Sequence, residues 1–83
     1  MVVKVTYSKQ FEKDFNKIKD KSFKKKITKQ IEKITYKPEI GKPMRYGRMG
    51  SREVYVPPFR LSYVYNKNND EMVLLSIYHK NKQ

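Results

Sequence analysis

The hydrophobic pattern of this chain changes period twice. Residues 2–7, VVKVTY, alternate: Val3, Val5 and Tyr7 share one side, Lys4 and Thr6 the other, which is the period of two of a half-buried strand. From Ser8, a residue suited to capping a helix, the spacing lengthens. Phe11, Phe15 and Ile18 recur at i, i+4 and i+7, and nearly everything between them is Lys, Glu, Asp, Asn or Gln. Asp20 or Ser22 can cap a second helix. Its apolar stripe is Phe23, Ile27, Ile31 and Ile34, and Lys24, Lys25, Lys26, Lys29 and Lys33 cover the rest. The short link between the two stripes predicts an antiparallel helical hairpin. Pro38 ends the second helix, with its effect starting at Lys37, because the residue before a proline is pushed out of the α region.

Residues 38–51, PEIGKPMRYGRMGS, hold two of the four prolines and all three glycines, so they predict a loop with at most a short strand at 44–46. From Arg52 the pattern is β to the end: REVYV, FRLSYVYN and MVLLSIYH. Pro57-Pro58 marks the first bend, since prolines donate nothing to a ladder, and the Asn/Asp-rich stretch at 66–70 marks the second. In the middle strand Phe59, Leu61, Tyr63 and Tyr65 share a face opposite Arg60, Ser62 and Val64. In the last strand, strict alternation puts Val73, Leu75, Ile77 and His79 on one side and Met72, Leu74, Ser76 and Tyr78 on the other. Both sides are apolar, which predicts a central position in the sheet. The expected architecture is α+β in the order β-α-α-β-β-β, as a single domain over 1–83. The N-terminal strand joins a C-terminal antiparallel meander, and the two-helix hairpin packs on one sheet face. The other face has no helical cover, so it must be polar, bind something, or both.

Charge sharpens that picture. Twenty Lys and Arg against eight Asp and Glu give a formal +12 over 83 residues. Such a field favours polyanions: RNA, DNA, the ribosome or an acidic protein. The absence of cysteine removes disulfides, zinc–thiolate sites and thiol catalysis, and it fits a reducing compartment. With one histidine and scattered acids, no metal site is expected, nor any other cofactor. There is neither a long apolar run nor a signal-peptide pattern, so the expected location is cytoplasmic and no membrane partner is expected.

Metal-free acid–base chemistry assisted by cations remains, and RNA suits it because its own 2′-hydroxyl is the nucleophile. A base near that hydroxyl, an acid near the leaving 5′-oxygen and cations on the phosphate suffice. His79 titrates near neutrality and can be acid or base. Arg60 can grip a phosphate, while Lys80 and Arg52 add charge. Glu53 can be a base or can pair with Arg52 or Lys80. Tyr55, Tyr63 and Tyr78 offer stacking platforms or phenolic protons. Arg45 and Arg48, in the loop, join Arg52 as candidate RNA contacts.

The element order, the basic charge, SREVYVPP (51–58) and FRLSYVYNKNNDEMVLLSIYHKNKQ (59–83) together resemble the RelE/ParE toxin superfamily of type II toxin–antitoxin systems. The most specific part is Phe59-Arg60-Leu61-Ser62-Tyr63, followed after a turn by a hydrophobic strand ending in Tyr78-His79-Lys80. For RelE-like members the resemblance implies metal-free cleavage of mRNA in the ribosomal A site. Arg60 would lie on the scissile phosphate, Lys80 would assist it, His79 would act as general acid, and Tyr78 would orient or stack. The implied partners are ribosome, rRNA and mRNA, plus a cognate acidic, partly helical antitoxin. The chain departs from some ribosome-dependent members where lysines give way to Glu53 and Tyr55. ParE-like members share the fold but inhibit DNA gyrase. That activity, or simple basic RNA or ribosome binding, is the alternative.

Overall fold

The computed structural model describes residues 3–43 and 50–79. Strand β1 (Lys4–Tyr7) leads into helix α1 (Lys9–Lys17) and helix α2 (Lys21–Tyr36). A two-residue strand β2 (Lys42–Pro43) follows, then β3 (Ser51–Val56), β4 (Phe59–Asn66) and β5 (Glu71–His79). Both helices start where capping chemistry predicts. The Ser8 hydroxyl accepts from the Phe11 N–H, and the Asp20 carboxylate accepts from the Ser22 and Phe23 N–H groups. Helix α2 closes at Lys37, immediately before Pro38.

The sheet order is β1-β5-β4-β3-β2. β1 runs parallel to β5 and every other pair is antiparallel; β5 is flanked on both sides, next to the β1 edge, and β4 takes the central place expected of β5. The β3–β4 turn is only Pro57-Pro58, joined by a cis bond and closed by the Val56–Phe59 pair. The expected short strand at 44–46 lies outside the described residues; β2, at 42–43, precedes it.

The core lies between the helices and one sheet face. Phe11, Ile27 and Ile34 meet Val54, Val56, Leu61, Tyr63, Met72, Leu74 and Ile77, with Val3 at the end of β1. Faces read from alternation hold for β1 and β4 and fail for β5. Ser62 pairs with Ser76, but Tyr63 pairs with Leu74, so Leu75 is an extra residue opposite the Ser62/Tyr63 step. This bulge inverts the later positions. Met72 and Leu74 face the core upstream of it and Ile77 faces the core downstream. The expected grouping of Val73 and Leu75 with Ile77 is therefore corrected, and Tyr78 lies on the uncovered face.

Candidate functional site

The uncovered face gathers its chemistry where β3, β4 and β5 run side by side. Arg60 pairs across the ladder with Tyr55 on one side and Tyr78 on the other. Cross-strand partners share a face, so these three side chains form one row. The neighbouring row contains Glu53, Ser62 and Ser76, and Lys42 stands beside Glu53 on β2.

Glu53 is the hub. Its Oε1 accepts from an Arg60 guanidinium nitrogen at 2.6 Å, and its Oε2 accepts from the Tyr78 hydroxyl at 2.6 Å. The Glu53 side chain is only 14% exposed and that of Arg60 34%, so this ion pair is partly withdrawn from water, where charge-assisted hydrogen bonds hold geometry firmly. The Arg60 guanidinium carbon lies 6.0 Å from the centre of the half-exposed Tyr55 ring. Arg60 Nε is buried without a hydrogen-bond partner. Beneath the pair, the Ser62 and Ser76 hydroxyls meet at 2.8 Å. The two rows together thus set a carboxylate and a phenol against a cation, beside an exposed aromatic ring. That is a proton acceptor, a proton donor, an anion-binding group and a stacking surface in one patch.

The other sequence-predicted residues fall elsewhere. His79 pairs with Phe59 across the ladder and meets its ring edge-on at 5.6 Å, on the helix side of the sheet. There it lines a cleft of about 650 Å³ with Ile18, Phe23, Pro58 and Ile77, so the structure does not bring its imidazole to Arg60. Arg52 also points to the helix side. It donates to the Glu39 carbonyl at 3.0 Å and the Gly41 carbonyl at 2.8 Å, fastening the loop after α2. Tyr63 is fully buried, which corrects its expected part as a stacking platform. Its hydroxyl donates to the Pro38 carbonyl at 2.7 Å and accepts from the Gly41 N–H at 3.0 Å. A Cβ at Gly41 would collide with that hydroxyl, so only glycine admits the ring there. Lys80, Arg45 and Arg48 lie outside the described residues. Among the described residues, no three His, Cys, Asp or Glu side chains come together as a metal site would need.

Sequence reasoning missed Lys42 beside Glu53, since nothing in a two-residue strand announces its pairing. It also missed the bulge that parts Met72 and Leu74 from Ser76 and Tyr78, because a strand apolar on both sides gives no periodic trace of one.

Known proteins agree with this architecture. The family described as ParE toxin of type II toxin-antitoxin system, parDE, matches residues 5–83. No curated protein sequence matches. Among solved structures, the toxin–antitoxin complex RelBE2 from Mycobacterium tuberculosis is similar at TM-score 0.84 and 18% identity, over 96% of this chain and 100% of that one. The archaeal RelE–RelB complex from Pyrococcus horikoshii is similar at TM-score 0.76 and 16% identity, over all of both chains. The YoeB dimer from Staphylococcus aureus is similar at TM-score 0.79 and 20% identity, over 95% of this chain and 98% of that one.

Proposed function

The chain belongs to the ParE toxin family of type II toxin–antitoxin systems, within the RelE/ParE superfamily, and for a toxin with this acid–base cluster on its uncovered sheet face we propose cleavage of ribosome-bound mRNA at that face. The observation that carries the reading is the hydrogen-bonded Tyr78–Glu53–Arg60 cluster. Arg60 meets the scissile phosphate and takes up the charge that builds on it. Glu53 accepts the proton of the attacking 2′-hydroxyl, whose oxygen bonds to phosphorus as the bond to the 5′-oxygen breaks. Tyr78 gives its proton to that leaving oxygen. The products are a 2′,3′-cyclic phosphate and a 5′-hydroxyl. Tyr55 offers its exposed ring to a neighbouring base. Lys80, Arg45 and Arg48 remain candidate RNA contacts in this reading. A cognate antitoxin, acidic and partly helical, neutralises the toxin by covering the basic surface, in keeping with the two relatives solved as toxin–antitoxin complexes.

End-group mapping of mRNA on programmed ribosomes tests this. We expect Glu53→Gln to lower cleavage by about 10²–10⁴-fold, and Arg60→Ala by about 10²–10³-fold, with unfolding midpoints recorded to separate lost chemistry from lost fold. Full cleavage in either variant rules out its assigned role. Tyr78→Phe against His79→Ala separates the two candidate acids. Tyr78 is the one on the Arg60 face, so the larger loss is expected there; the opposite order assigns the proton to His79.

A second reading is favoured by the pairing of Arg60 with Glu53, which leaves that cluster without net positive charge, and by the ParE match. In it the toxin poisons DNA gyrase and cuts no RNA. Inhibited supercoiling together with intact mRNA ends would establish it.

A further inference from the structure

Helix α1 holds the β5 bulge by its backbone. The Ser8 hydroxyl donates to the Leu75 carbonyl at 2.6 Å, and the Ser8 N–H donates to the Leu74 carbonyl at 3.0 Å. One turn and a half further on, Asp14 Oδ2 accepts the Ile77 N–H at 2.9 Å, while its Oδ1 accepts from Gln10 at 2.8 Å. A bulge leaves ladder groups without their regular partners. Here the Ser8 N–H continues the parallel β1–β5 ladder, in step with the Lys4 N–H on the Asp70 carbonyl, and beyond the end of β1 two side chains take the next groups of the bulged segment, the Leu75 carbonyl and the Ile77 N–H. The inversion they secure decides which residue joins Arg60. Without the extra residue, alternation returns Tyr78 to the helix side, away from Glu53.

We propose that Asp14 is a positioning residue of the open-face site: by holding the Ile77 N–H it fixes the bulge, and so presents the Tyr78 hydroxyl to Glu53. This rests on the reading of that face as the reactive one. Asp14 touches none of the reacting groups, and its bond to Ile77 spans 63 positions of sequence. A carboxylate accepting a backbone N–H is a charge-assisted bond, stronger than the neutral bond it replaces. Asp is also a poor helix former, so replacing it with Ala favours α1 locally while releasing β5. Global stability and site geometry therefore respond differently.

A double-mutant cycle over Asp14→Ala and Tyr78→Phe tests the proposal, with Asp14→Asn as the conservative variant. We expect Asp14→Ala to lower kcat by about 10–100-fold with little change in KM, as for a reacting group moved by about 1 Å. In the Tyr78→Phe background the same substitution should cost almost nothing further in kcat while shifting the unfolding midpoint as before. Asp14→Asn, whose amide oxygen can accept the same N–H, should restore most of the activity. If Asp14→Ala does not fold, Asp14→Glu displaces the carboxylate by one methylene and should give the same kcat loss. Equal kcat losses in both backgrounds would overturn the proposal and leave Asp14 a purely structural group. An RNA-independent readout keeps this separate from the cleavage assignment. The nuclear Overhauser contact between the Tyr78 ring and the Glu53 side chain should vanish in Asp14→Ala and persist in Asp14→Asn. Its persistence in Asp14→Ala overturns the proposal whether or not the wild type cuts RNA.

Discussion

Tyr63 is a residue whose polar end has been absorbed by architecture. Its ring fills the core and its hydroxyl joins the Pro38 carbonyl to the Gly41 N–H, so one phenol ties the chain leaving α2 to the centre of the sheet. Tyr63→Phe keeps the ring and leaves both backbone groups without that partner, which should cost about 1–3 kcal/mol in a denaturant titration. The phenol also links stability to pH. Burial pushes its pKa above the ordinary 10.0, and the Gly41 bond and the Arg52 charge only partly pull it back. Above pH 10.0 an unfolded Tyr63 has released its proton while the folded one retains it, so folding loses stability as pH climbs toward the raised value. The stability gap between wild type and Tyr63→Phe should therefore be constant below pH 10.0 and narrow above it. A gap independent of pH through that range would show that the phenol is not held neutral by burial.

At the scale of elements, the two helix caps look alike in sequence and differ in what they join. The Asp20 carboxylate serves only its own helix, accepting from Ser22 N–H at 2.9 Å and Phe23 N–H at 3.3 Å in an exposed setting. The Ser8 hydroxyl accepts from Phe11 N–H at 3.0 Å and also donates to the Leu75 carbonyl in β5. Asp20→Ala should cost about 1 kcal/mol, and Ser8→Ala about 1 kcal/mol more for the second bond, measured by urea unfolding with an unchanged slope. Equal costs would mean that the Ser8–Leu75 bond contributes no net stability. The same contrast marks what a sequence can convey. Caps, stripes and the faces of β1 and β4 are legible because period and capping chemistry are local. Alternation likewise put Arg60 opposite the core side of β4. The bulge is set by pairing with β4 and by groups on α1 more than 60 positions away, so it is invisible to periodicity. The parting of Met72 and Leu74 from Ser76 and Tyr78 was hidden with it, as were the neighbours of Glu53, which became plain only when β3, β4 and β5 were laid side by side.

At the scale of the molecule, among the described residues, the exposed lysines of α2 and the candidate site occupy opposite sides of the sheet. Lys21, Lys25, Lys26, Lys29 and Lys33 are exposed along α2, over the helix-covered face. On the other side Arg60 is already matched by Glu53. The two sides should therefore contribute differently to binding a polyanion. Each cation that displaces a counterion from single-stranded RNA adds about 0.7 to the slope of log affinity against log salt. Replacing Lys25, Lys26 and Lys29 by Gln should thus lower the magnitude of that slope by about 2 on a long unstructured RNA. Arg60→Ala should change it by less than one such increment, because the guanidinium reaches RNA only by sharing its bond with Glu53. Fluorescence anisotropy across a salt series reads both slopes. If the triple substitution leaves the slope unchanged, the helix lysines are solvated charge without a role in binding. If Arg60→Ala alone removes most of it, RNA is held on the open face and the Glu53 pairing yields to phosphate on contact.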